Sequence, residues 1–153
     1  MYVAYHTLPD TAKVWVFVSD RILSESDVAS MNHSCKNFID KWHSHNKDVY
    51  GSFTLLHNCI IIIAANDGIT DVSGCSKDSL VHFMQDMQKH LHLNFFDRKI
   101  VVIKKEEDII LTNIDNLKNL PNPNDYEVLN PMVSKKSDTL FSFLKESKYK
   151  IFL

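Results

Sequence analysis

The hydrophobic positions fall into blocks of two different periods, and the blocks alternate along the chain. Val14-Trp15-Val16-Phe17-Val18 is apolar throughout, and every residue is β-branched or aromatic. That pattern predicts a short strand buried on both faces. Ser24-Glu25-Ser26-Asp27 is a capping-box pattern, and beyond it Val28, Met31, Cys35, Phe38, Ile39 and Trp42 recur at three- and four-residue steps. A stripe about 100° wide predicts a helix with Cys35 in its core face. Gly51 precedes a second strand, Ser52 to Leu56, then a tight turn at His57-Asn58 and a third strand, Cys59 to Ala65, again apolar on both faces. A loop opening at Asn66-Asp67-Gly68 leads to a second helix from Cys75 to His92, with Leu80, Phe83, Met84, Met87 and Leu91 as its stripe. Asp97-Arg98 turn the chain into a fourth strand, Lys99 to Lys104.

The order β, α, β, β, α, β predicts an α+β fold, a ferredoxin-like βαββαβ two-layer sandwich with both helices on one face of a four-stranded antiparallel sheet. The core would span residues 14–104 of a single domain, 1–153, with the first and third strands central. A bare sheet of this kind leaves one face to water, yet Trp15, Phe17 and the isoleucine run call for a cover. The C-terminal extension, residues 107–153, is the expected cover. It should contain a strand at Asp108 to Leu111, an irregular link at Pro121-Asn122-Pro123-Asn124 and a short helix at Asp138 to Leu144. The other candidate is a second subunit, forming a homodimer through the sheet face.

Composition narrows the function classes. A net charge of −2 supplies no field that would gather phosphate backbone or anionic lipid, so neither nucleic acid nor membrane is an expected partner. The βαββαβ topology is also that of an RNA-recognition module, but the third strand carries isoleucine and alanine where stacking aromatics are needed. The longest apolar run, Cys59 to Ala65, is far shorter than the roughly 20 residues that span a bilayer. The N-terminus lacks the pattern of an export signal, which predicts a cytoplasmic protein. Three cysteines with no CxxC pair argue against a disulfide framework and a structural zinc site. His43 with His45 and His90 with His92 are spaced two apart, which on a helix separates them by about 200°, so no metal site is expected.

One segment holds candidate chemistry: Ser73-Gly74-Cys75-Ser76-Lys77-Asp78, followed by His82. A thiol at a helix start benefits from unpaired amides and the positive end of the dipole, and Cys75, Asp78 and His82 share one helix face. They would serve a thiol-dependent enzyme with Cys75 as nucleophile. Cys75 and His82 nevertheless stand about 10 Å apart along the axis, and the apolar stripe centres on the opposite side. Ser73, Ser76 and Asp78 are equally the residues that cap and charge-match a helix start. The leading expectation is therefore a binding or protein-interaction module without cofactor, taking an anionic small molecule at the loop through Asp67, Ser73, Gly74 and Ser76.

Lys13-Val14-Trp15-Val16-Phe17, Trp42-His43-Ser44-His45, the segment from Ser73 through Val81-His82-Phe83, and Phe95-Phe96-Asp97-Arg98 together resemble a family of small uncharacterised bacterial proteins often labelled "ABC transporter ATPase". The resemblance runs from Leu8-Pro9-Asp10 into the tail, where Val128-Leu129-Asn130 and Phe141 are also similar. This chain departs from the family pattern at Asn46, where glycine is usual, and at Lys77, where an apolar residue is usual. The resemblance implies a shared fold unit but no reaction. ATPase activity in particular requires a phosphate-cradling GxxxxGK[ST] loop, and the chain has three glycines and no such motif.

Overall fold

Two α-helices cover one face of a three-stranded sheet, and a second sheet covers the other. The computed structural model describes residues 1–153. Its first half runs β1 (Lys13–Val18), α1 (Glu25–Asp40), β2 (His43–Ser44), β3 (Lys47–Asp48), β4 (Gly51–Leu56), β5 (Ile60–Ala65) and α2 (Gly74–Leu91). β5 lies between β1 and β4 and is antiparallel to both, so β1 and β4 are parallel and separated by one strand. That is the split βαβ unit expected from the sequence. β5 is the central strand, and all six of its residues are buried.

Alternation along the strands divides the interior in two. Phe17 of β1 and Ile61, Ile63 and Ala65 of β5 face the helices, where they meet Met31, Cys35 and Ile39 of α1 and Leu80, Met84 and Met87 of α2. Val14, Val16, Ile60, Ile62 and Ala64 point the other way. α1 begins with the expected capping box, in which Ser24 Oγ accepts from Asp27 N and Asp27 Oδ2 accepts from Ser24 N. α2 begins at the Ser73 cap and ends at His92, which adopts the left-handed conformation at φ 55°.

The fourth strand departs from expectation. Ile100–Lys105, here β6, does not join β1 to complete a four-stranded ferredoxin-like sheet. It pairs with β7 (Asp108–Asn113) and β8 (Glu127–Leu129), and β9 (Phe141–Phe143) completes a separate antiparallel sheet in the order β7-β6-β8-β9. The physical reason lies in the two faces of β6. Val102 packs with Leu129, Ile109, Leu111 and Phe141 onto the open side of the first sheet. Val101 and Ile103 pack on the far side with Leu117, Tyr126, Val128, Leu144 and Tyr149. A strand beside β1 would have left these residues and that whole face of the first sheet without apolar partners.

The cover is therefore the chain itself, β6 together with the extension. β7 confirms the strand expected at Asp108 to Leu111 and prolongs it by two residues. The helix expected at Asp138 to Leu144 is replaced by β9 and a 3-10 turn at Leu144–Glu146. Phe141 is needed on the strand face toward the first sheet, and the Asp138 carboxylate caps a turn by accepting from Ser134 N and Lys135 N. No helix is long and apolar enough to cross a membrane.

Candidate functional site

The start of α2 is anchored before it is available for chemistry. Ser73 Oγ accepts from Ser76 N at 3.2 Å, and Ser73 N donates to Ser44 Oγ at 3.0 Å. Ser76 is buried, and its hydroxyl donates to His43 O at 2.8 Å. Its carbonyl accepts from Trp42 Nε1 at 2.9 Å. Both serines thus fasten the helix to the β2–β3 hairpin. No period in the sequence announced that hairpin; its turn is made by His45 and Asn46, both with positive φ, 52° and 63°. Gly74 is exposed, with open space where a Cβ would lie.

Cys75, Asp78 and His82 all lie on the exposed face of α2. No hydrogen bond or ion pair joins any two of them, and Cys75 takes part only through its carbonyl, which accepts from Ser79 Oγ. The other two thiols are interior, and burial pushes Cys35 up to about 12 and Cys59 up to about 11. No three His, Cys, Asp or Glu side chains converge as metal ligands. His43 is drawn away from such a role: Nδ1 faces Lys41 O at 2.6 Å and Nε2 faces Asp48 Oδ1 at 2.9 Å.

A cavity of about 310 Å³ opens beside the loop, against the first half of β1. Lys13, Lys77 and Lys135 line it together with Asp67, Trp15, Thr11 and Ser134. Of the expected ligand-binding residues, only Asp67 reaches this cavity. Lys13 is held by Asp67 at 3.6 Å and Asp71 at 3.9 Å, while Lys77 and Lys135 make no ion pair. Lys135 arrives from the far end of the chain because residues 134–136 bridge to β1, with Val14 N donating to Ser134 O at 3.0 Å and Lys136 N to Ala12 O at 2.9 Å. The hydroxyls of Thr11 and Ser134 make no hydrogen bond within the chain. The loop is legible in the sequence but the lysine cluster is not, because nothing local relates Lys13 to Lys135.

The fold and cavity define an α+β protein with a lysine-lined pocket on a strand edge. Comparison with known proteins found nothing similar: no family model matches the chain, and neither does any curated protein or solved structure.

Proposed function

We propose that the chain is a binding module for a small anion, a phosphate or carboxylate compound, seated in the cavity beside Asp67. The observation that carries this reading is the convergence of Lys13, Lys77 and Lys135 on one cavity with a single lining carboxylate. Neither Lys77 nor Lys135 is in a salt bridge, though the Asp138 carboxylate acts on Lys135 at longer range, so an anion between them gains charge-assisted hydrogen bonds without breaking a direct pair. Thr11 and Ser134 offer hydroxyls to the same group, and Trp15 supplies an apolar wall for the rest of the molecule. Three free thiols suit a reducing compartment, which fits a cytoplasmic location.

The test is thermal melting with phosphate and a panel of phosphorylated and carboxylated metabolites, set against chloride at equal ionic strength. A ligand at about 100 times its Kd stabilises by roughly 2.7 kcal/mol, a rise of about 5–10 °C for a chain of this size. The double variant Lys77→Glu with Lys135→Glu should abolish the rise. An equal rise in that variant, or none with any anion, refutes the proposal.

A thiol-dependent reaction at Cys75, with Asp78 and His82 as its acid–base groups, is the second reading. What favours it is that Cys75 is the one exposed thiol of the three. Turnover of ester or thiol-transfer substrates that Cys75→Ala abolishes would put this reading first.

A further inference from the structure

The second half of β1 has an edge with nothing on it. Odd-numbered residues of β1 bond to β5, so the N–H and C=O of Val16 and Val18 point outward with Val14. Val14 is answered by Ser134. Beyond that bridge the neighbouring segment leaves the edge, because Pro131 has no N–H to give and Met132 N turns back to Asn130 Oδ1 at 3.0 Å. The outward groups of Val16 and Val18 have no partner within the chain. This is the place a fourth strand would have taken had β6 not been drawn to the opposite face.

A cavity of about 460 Å³ lies along the same edge, lined by Phe96, Arg98, Met132 and Lys148 among others. Phe96 is 40 % exposed and Met132 73 %, so its rim is apolar. Arg98 and Lys148 make no ion pair and outnumber the one lining carboxylate, Asp97, which accepts from Lys99 N. The requirements are then main-chain donors and acceptors in line, alternate apolar contacts and negative charge. An extended peptide satisfies the first two through its period of two, and acidic residues satisfy the third.

We propose that the Val16–Val18 edge of β1 binds an extended acidic peptide segment of a partner protein as an added strand, with apolar side chains in the Phe96–Met132 cavity and carboxylates against Arg98 and Lys148. The inference is independent of the anion pocket, which lies on the first half of β1.

The probe is a random heptapeptide display library, selected on the full chain, followed by amide exchange with the enriched peptide. Enriched peptides should alternate apolar and acidic residues, and saturation should slow exchange at Val16 and Val18 by at least about tenfold. Arg98→Glu with Lys148→Glu, both exposed positions that leave the core intact, should weaken binding by about tenfold or more, with the melting temperature unchanged. The proposal is overturned by no enrichment, by basic peptides, by protection away from β1, or by equal binding to the charge-reversed variant. Concentration-dependent protection of Val16 and Val18 without peptide, accompanied by a dimer in sedimentation, would also overturn it, by assigning the edge to a second copy of the chain.

Discussion

At the scale of single residues, close approach and burial decide which positions tolerate change. Gly51 lies where a Cβ would stand 3.0 Å from Ala64 O and 3.2 Å from Ile39 Cγ2, one a backbone atom and the other in the packed core. Gly51→Ala should therefore overpack the junction of α1 and β4 and cost about 1–3 kcal/mol, measurable by urea denaturation with an unchanged slope. The thiols divide by the same criterion. Iodoacetamide should label Cys75 in the native protein and leave Cys35 and Cys59 unmodified until unfolding, since burial both hides them and disfavours their thiolates. The raised thiol values also set an alkaline limit. Their stabilising contribution is complete below the ordinary value of 9.0 and is lost as pH rises from there toward about 11 and 12. Melting temperature should fall above pH 9, and less steeply in Cys59→Ala than in the wild type.

At the scale of elements, the two helices are tied by one arginine. Arg21 Nη1 donates to Asp27 Oδ2 at 2.6 Å at the start of α1, and Nη2 donates to Leu91 O at 2.7 Å at the end of α2, where a cation also suits the helix dipole. The guanidinium, with the Ser24 amide, holds the Asp27 carboxyl at about 2 against an ordinary 3.8. A lowered carboxyl stabilises the fold above its unfolded value and loses that contribution as pH falls through the folded one. Stability should thus drop between about pH 4 and pH 2 by about 1 kcal/mol, allowing for screening by water around the half-exposed arginine. Asp27→Asn should remove that portion of the acid dependence; an unchanged acid limb in calorimetry would show that the pair does not couple to folding. In β4, Ser52 is fully buried and its hydroxyl has no partner. Ser52→Ala removes an unsatisfied group and should raise stability by about 1 kcal/mol, read as a higher urea midpoint.

At the scale of the molecule, the two sheets share one apolar interface, with Val102 and Leu129 from the second packed with Val14, Ile60 and Ile62 of the first. The facing side of each sheet would be exposed to water without the other, so the chain should unfold as one unit. Trp15 and Trp42 report the helix side, their rings 5.9 Å apart, and the amide of Ile103 reports the second sheet. Tryptophan fluorescence and hydrogen exchange at Ile103 should give the same unfolding free energy. A lower value at Ile103 would mean that the second sheet detaches on its own.

The two long helices and the central strand were legible because each is set by local physics. The capping box at Ser24–Asp27, the stripes of α1 and α2, and the run of isoleucines in β5 declare helix or buried strand wherever they sit. The need for a cover over the first sheet was legible too, since a strand apolar on both faces cannot border water. Which residues supply that cover was not legible, because Ile100–Lys105 reads as a strand equally well beside β1 or in a sheet of its own. Burial of Val101, Val102 and Ile103 between two apolar layers settled it. The candidate site divides along the same line. The sequence pointed to the loop around Asp67 and the start of α2, but Ser73 and Ser76 proved to be fasteners for a hairpin whose two-residue strands are too short to show a period. Lys13 and Lys135 meet only because a turn near the end of the chain returns to the first strand. Contacts so distant in sequence are set by which arrangement buries the most apolar surface, a property of the whole chain that no local window contains.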